Sequence, residues 1–82
     1  MNRQEVINHI TPIIKESKYK ISKTYTKSKY LMQFHIISDE KEVSIGTIKE
    51  LTKKISNCRF FDKYVASFSI IGDELVLQLM KR

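Results

Sequence analysis

The sequence predicts an α+β fold, in which two hairpins form one four-stranded antiparallel sheet and two helices pack on one face of it. Apolar residues recur at helical spacing in two segments and alternate with polar residues in two others. The segments follow one another in the order α-β-β-α-β-β, and covering one sheet face with both helices is the simplest assembly. A chain of 82 residues predicts a single domain over residues 1–82.

The first helix is predicted over residues 2–17. Asn2 and Glu5 have the spacing of a capping box at its start. The apolar residues of one helix face follow, and these are Val6, Ile10, Ile13 and Ile14. Pro12 interrupts the pattern because it lacks a backbone N–H, so the helix either kinks there or restarts with Thr11 as its cap.

The first hairpin is predicted over residues 19–38, with its turn at Lys27-Ser28. In this register four pairs face the helices: Tyr25 with Tyr30, Lys23 with Met32, Ile21 with Phe34, and Tyr19 with Ile36. The opposite face carries Lys18, Lys20, Ser22, Thr24, Leu31, Gln33, His35 and Ile37. Such alternation is typical of a half-buried sheet. Lys-Ser is not a preferred two-residue turn, so a longer loop in the same register is the alternative.

The second helix is predicted from the capping-box spacing of Thr47 and Glu50, with its end near Asn57. Its apolar face consists of Ile48, Leu51 and Ile55. Residues 39–46 either begin this helix or include a short extra strand at residues 42–45.

The second hairpin is predicted over residues 63–81 around Gly72-Asp73, a strong turn signal. Its helix-facing pairs are Ile70 with Leu75, Phe68 with Leu77, and Ala66 with Leu79. Its open face carries Val65, Ser67, Ser69, Val76, Gln78 and Met80. The core is predicted to unite both hairpins and the second helix through Ile21, Phe34, Phe68, Leu77 and Ile48.

The charge is concentrated in the first hairpin. The net charge is +6 and the sequence pI is about 9.6, and six lysines but one acid lie between Lys15 and Lys29. Such a cluster is typical of a polyanion binder, although a solvated lysine-rich face has the same composition. We therefore predict a protein that binds nucleic acid, either DNA or RNA, through phosphate contacts that read no sequence. The predicted contacts are Lys18, Lys20, Lys23, Lys27, Lys29, Gln33 and His35.

A second hypothesis is a small inhibitor or adaptor, of a phage or mobile-element type, that binds a host protein. Apolar residues on the open sheet face predict such an interface, because patches of this kind usually mark contact sites. They are Leu31, Ile37, Val65, Val76 and Met80. A short chain also gains stability by burying such a patch, so we predict a homodimer as well.

The sequence predicts no enzyme activity, no catalytic residue, no metal and no cofactor. His9, His35 and the single cysteine Cys58 are too few for a zinc set and have no paired acid or base in the sequence. One cysteine cannot form an internal disulfide, which indicates a reducing compartment. No apolar run approaches the roughly 18 residues of a membrane span, so we expect a cytoplasmic protein.

Overall fold

The structure, a computed structural model, describes residues 3–28, 30–40, 42–55 and 63–82, without the side chains of Arg3 and Lys27. Its elements are α1 (Arg3–Glu16), β1 (Lys20–Ser28), β2 (Leu31–Ile37), α2 (Ile45–Ile55), β3 (Tyr64–Ile71) and β4 (Glu74–Lys81). This order confirms the predicted α+β fold class. The predictions for Asn2, Lys29, Asn57 and Cys58 lie outside the described residues.

The four strands form one antiparallel sheet in the order β1-β2-β4-β3. β2 and β4 are central, and β1 and β3 lie at the two ends of the described sheet. Both helices pack on the same face. Their buried contacts join Val6, Ile10, Ile14, Leu51 and Ile55 to Met32, Phe34, Ile36, Leu75, Leu77 and Leu79. Among the described residues, no helix covers the other face of the sheet, the open face.

The predicted core is confirmed. Phe34 and Leu77, on the two central strands, are fully buried. Ile21, Ile48 and Phe68 are partly buried and pack against the same cluster. Ile21 and Phe68 belong to the outer strands, which explains their greater exposure.

Helix α1 continues through Pro12, so it does not restart at Thr11. The Thr11 hydroxyl donates a hydrogen bond to the Ile7 carbonyl one turn earlier, at 2.8 Å. Within the described residues, no helix has the length and apolar character that crossing a bilayer requires.

The end of α1 is a Schellman motif, a pair of backbone bonds that close a helix. The Lys18 N–H donates to the Lys15 carbonyl at 3.0 Å, and the Tyr19 N–H donates to the Ile14 carbonyl at 3.1 Å. Lys18 occupies the left-handed position with φ of 66°. It therefore lies in the turn before β1, and its predicted place on the open face is wrong.

Helix α2 begins at Ile45, two residues before the predicted cap at Thr47. Ser44 is the cap, since its carbonyl accepts from the Ile48 N–H at 3.2 Å. The Thr47 hydroxyl accepts from the Ser44 N–H at 3.1 Å, which makes Thr47 the third helical residue of the box. Residues 42–44 form no strand. The predicted apolar face is confirmed, with Leu51 and Ile55 buried.

The second hairpin has the predicted register. Phe68 pairs with Leu77, and Ile71 with Glu74, across the Gly72-Asp73 turn. Gly72 has φ of 61°, a conformation that glycine adopts without steric cost. The open-face residues of this hairpin therefore lie where the alternation predicted them.

The first hairpin has a different register from the predicted one. Its turn lies between Ser28 and Leu31, which pair with each other. The ladder shifts twice within β1, between Ile21 and Lys23 and again between Thr26 and Ser28. None of the four predicted pairs forms; the observed ones include Lys23 with His35, Tyr25 with Gln33, Thr24 with Phe34, and Ile21 with Ile36. Lys23 and Tyr25 therefore face outwards and Thr24 faces the helix side, the reverse of the prediction.

Candidate nucleic-acid interface

The open face is arranged in rows that run across the four strands. The rows are Lys23–His35–Val76–Ser69, Tyr25–Gln33–Gln78–Ser67, and Ser28–Leu31–Met80–Val65. The first two contain the basic, aromatic, amide and hydroxyl groups. The third is largely apolar, so one face combines a polar centre with an apolar end.

An aromatic pair stands at the β1 side of this face. The ring centroids of Tyr25 and His35 are 5.2 Å apart, with their planes at 73°, an edge-to-face arrangement. Tyr25 is 41 % exposed. The prediction that Tyr25 faces the core is wrong because the shift beside Ser22 reverses the faces of the following residues. A ring on the open face is what a stacking surface requires.

Hydrogen bonds hold the His35 ring in place. His35 Nδ1 donates to Glu74 Oε2 at 2.8 Å across β2 and β4. The Ser22 hydroxyl lies 3.2 Å from Glu74 Oε1 and 3.3 Å from the His35 carbonyl oxygen. The bond from His35, aided by Ser22 and by the charges of His35 and Lys23, lowers the pKa of Glu74 below its usual value. Three strands therefore contribute to one fixed polar cluster.

An amide pair lies in the neighbouring row. The Gln33 side-chain N–H donates to the Gln78 side-chain oxygen at 2.8 Å, and both side chains are partly buried. Ser67, exposed on β3, continues the row. Amides and hydroxyls offer both donors and acceptors, so this row can meet the polar edge of a base.

The predicted lysines are only partly brought together. Lys20 and Lys23 lie on the open face, opposite Ile37 and His35. Lys20 is exposed and forms an ion pair with Asp39, whose hydrogen bond and charge raise the pKa of Lys20. Lys18 is exposed in the turn before β1 and belongs to no strand of the sheet. For Lys27 the side chain, and for Lys29 the whole residue, are outside the described part of the chain.

The predicted apolar interface is smaller than the sequence indicates. Val65 and Met80 are each 48 % exposed, and Leu31 and Ile37 are half-buried. Val76 is buried, with 4 % exposed, and its predicted exposure is wrong. The reason is its position on central strand β4, where His35 and Ser69 flank it on either side.

The structure does not bring the two histidines together, because His35 lies on the open face of the sheet and His9 lies on the helical side. His9 is exposed on α1, in the helical layer, and its Nδ1 lies 2.8 Å from the Glu5 carbonyl. In the described ranges, no three His, Cys, Asp or Glu side chains are placed to hold a metal ion.

The sequence matches no protein-family model. Comparisons with curated proteins and with solved structures find no match either.

Proposed function

We propose that this protein binds nucleic acid through the open face of its sheet, stacking bases on Tyr25 and contacting phosphates with lysines, without catalysis. The outward position of Tyr25 beside His35 and Lys23 carries the proposal. Sheets that bind single strands or RNA hold bases on exposed aromatic rings and the backbone on basic groups. The open face of this sheet has an exposed ring, that of Tyr25, and two lysines, Lys20 and Lys23.

Each part of the open face has a separate task in this proposal. Lys20 and Lys23 contact phosphates at the β1 edge, and a phosphate at Lys20 competes with Asp39 for its ammonium group. Phosphate contacts give affinity but read no sequence, so this part of the binding is independent of sequence. The net charge of +6 adds long-range attraction. The predicted setting is the cytoplasm.

Stacking is tested by the anisotropy of a labelled single-stranded oligonucleotide at low salt. Tyr25→Ala should weaken binding by about 1–3 kcal/mol, the value of one stacked base, and Tyr25→Phe should retain the affinity. Tyr30→Ala, which removes an exposed tyrosine in the β1–β2 turn, is the matched control. Unchanged binding by Tyr25→Ala would remove stacking from the proposal.

The phosphate contacts are tested by the salt dependence of the same binding. Each contact adds about 0.7 to the slope of log affinity against log salt on single strands. Lys20→Gln with Lys23→Gln should lower the slope by roughly 1.4 for each copy of the chain that contacts the strand. Lys49→Gln with Lys53→Gln, on α2 in the opposite layer, should leave it unchanged. If the wild type did not bind nucleic acid at low salt, the lysines would be only a solvated face and the proposal would be wrong.

A host protein is the second candidate partner, and the apolar row at the end of the open face favours it. Val65, Met80 and Leu31 lie side by side on three strands there. The chain would then act as a small inhibitor or adaptor of phage or mobile-element type. Met80→Lys should abolish association with a purified host partner while nucleic-acid binding persists. If Met80→Lys abolished nucleic-acid binding but left the association with the host partner intact, this candidate would be contradicted.

A further inference from the structure

The two end strands of the sheet differ in how well they are protected against pairing with another strand. Natural proteins block exposed strand edges with bulges, charges or proline. β1 has two register shifts and the exposed lysines Lys20 and Lys23. β3 has eight consecutive regular pairs with β4, and its sequence YVASFSII contains no charge, glycine or proline. In the described sheet, no strand pairs with the other side of β3.

The side chains of β3 are also unusually apolar for an end strand. Val65 is 48 %, Ile70 41 % and Ile71 63 % exposed. Val65 and Ile71 lie on the open face, and Ile70 lies on the helix face, where Phe68 is only partly buried. An edge that exposes apolar groups on both sheet faces is suited to another strand rather than to water.

The geometry points to a second copy of this chain as the partner: β3 pairs antiparallel with β3 of the second copy, centred on Phe68, to form a continuous eight-stranded sheet. In this register Val65 lies opposite Ile71, Ala66 opposite Ile70, Ser67 opposite Ser69, and Phe68 opposite itself. Opposite residues share a sheet face in antiparallel pairing, so each exposed apolar side chain of β3 meets an apolar side chain.

Charge selects the same register. Lys63 and Asp73, both exposed, are five residues before and after Phe68. Pairing centred on Phe68 therefore places Lys63 of each copy opposite Asp73 of the other. A shift of the register by two residues would place Lys63 opposite Ile71 and Val65 opposite Ser69. Strand register follows such patterns of matched side chains.

The backbone has the groups that this pairing needs. The two-residue turn at Gly72-Asp73 makes Ile71 and Glu74 a hydrogen-bonded pair, and hydrogen-bonded pairs then alternate along the hairpin. Val65, Ser67, Ser69 and Ile71 thus bond to β4. The backbone groups of the residues between them point away from β4. In the proposed register these outward groups face each other, so both copies gain a ladder of hydrogen bonds.

Sedimentation equilibrium of the full chain tests the interface. The wild type should be a dimer, and Ile71→Gln should raise its dissociation constant by roughly tenfold, since the twofold symmetry counts the substitution twice. Ile45→Gln alters an equally exposed isoleucine at the start of α2, 68 % exposed, and should leave the dimer intact. Lys63→Asp should weaken the dimer, and adding Asp73→Lys should restore it. A monomeric wild type, or a dimer insensitive to Ile71→Gln, would overturn the proposal.

Disulfide cross-linking tests the register itself, in a chain whose Cys58 is replaced by serine. Ser67 and Ser69 are exposed and form a close, non-hydrogen-bonded pair across the proposed seam, a spacing that a disulfide can bridge. A mixture of Ser67→Cys and Ser69→Cys chains should cross-link to each other on mild oxidation, and neither variant should cross-link with itself. Self-cross-linking of Ser67→Cys alone would place Ser67 on the twofold axis and contradict the register centred on Phe68.

Discussion

The backbone conformation of Lys18 is determined by its position at the end of α1 and not by its charge. In the described part of the chain it alone, apart from glycine, has a positive φ, at 66°. The two Schellman bonds require that conformation, and the adjoining Tyr19 and Ile14 are both buried. In this left-handed conformation the Cβ atom of lysine is too close to the backbone, a strain that glycine avoids because it has no Cβ.

We expect Lys18→Gly to stabilise the protein by about 1 kcal/mol, because the strain of a left-handed side chain is roughly 1–2 kcal/mol and glycine loses part of that gain through backbone entropy. Urea unfolding measures the free energy. Lys15→Gly, in the last helical turn, should instead destabilise by about 1 kcal/mol. Equal losses from both changes would contradict the Schellman assignment. Nucleic-acid affinity should stay nearly the same in Lys18→Gly, since this residue belongs to no strand of the open face.

A second single residue, Glu74, makes the stability of the protein depend on pH. Its pKa is lowered in the folded protein, first by the hydrogen bond from His35. The carboxylate therefore contributes stability above its usual pKa of 4.5, and that contribution is lost as the pH falls through the lowered value. The free energy of unfolding of Glu74→Gln should be below that of the wild type at neutral pH, and the difference should shrink as the pH falls below 4.5. A constant difference between the two would show that the charge plays no part.

At the scale of the elements, one buried hydroxyl connects three of them. Thr47 Oγ1 accepts from the Ser44 N–H at 3.1 Å and lies 3.0 Å from the Tyr19 hydroxyl. Tyr19 both closes α1 and leads into β1. At the other end of α2, Lys54 Nζ donates to Ser17 Oγ at 2.6 Å. The helices are therefore fixed to each other and to the sheet by polar contacts at both ends of α2.

Thr47→Val should destabilise the protein by about 1–3 kcal/mol, because it removes a cap partner and the hydrogen bond between Thr47 and the buried Tyr19 hydroxyl. Thr52→Val, an exposed position on the same helix, is the control. Adding Tyr19→Phe to Thr47→Val should cost less than the sum of the two single changes, a coupling that a double-mutant cycle measures. Additive losses would show that the two hydroxyls do not interact.

The two hairpins show what the sequence can and cannot predict about these elements. Gly72-Asp73 has the residues that a tight turn requires, so its register followed directly. β1 contains two irregularities at ordinary residues, Ser22 and Lys27, and nothing in the alternation of side chains marks an inserted residue. The fold class survives such a shift. The candidate site changes, because each inserted residue moves the side chains that follow it to the opposite face of the sheet. The predicted faces of Gln33 and His35, on regular β2, are therefore correct, whereas that of Tyr25 is wrong.

At the scale of the whole molecule, the proposed dimer brings two nucleic-acid faces together. A twofold axis perpendicular to the sheet keeps both open faces on the same side. The two β1 strands are then separated by seven strand spacings, about 34 Å. One strand of nucleic acid can therefore contact the lysines of both copies in a single binding event.

We therefore expect the salt slope of binding to depend on the dimer. With Lys20 and Lys23 each contributing about 0.7 on single strands, one copy gives a slope near 1.4 and two copies near 2.8. On an oligonucleotide of ample length, the wild type should show the larger slope and Ile71→Gln, measured below its dissociation constant, the smaller one. Ile71→Gln leaves the net charge unchanged, and Ile45→Gln should keep the wild-type slope. Equal slopes for the dimeric wild type and the monomeric Ile71→Gln would mean that the two faces bind independently.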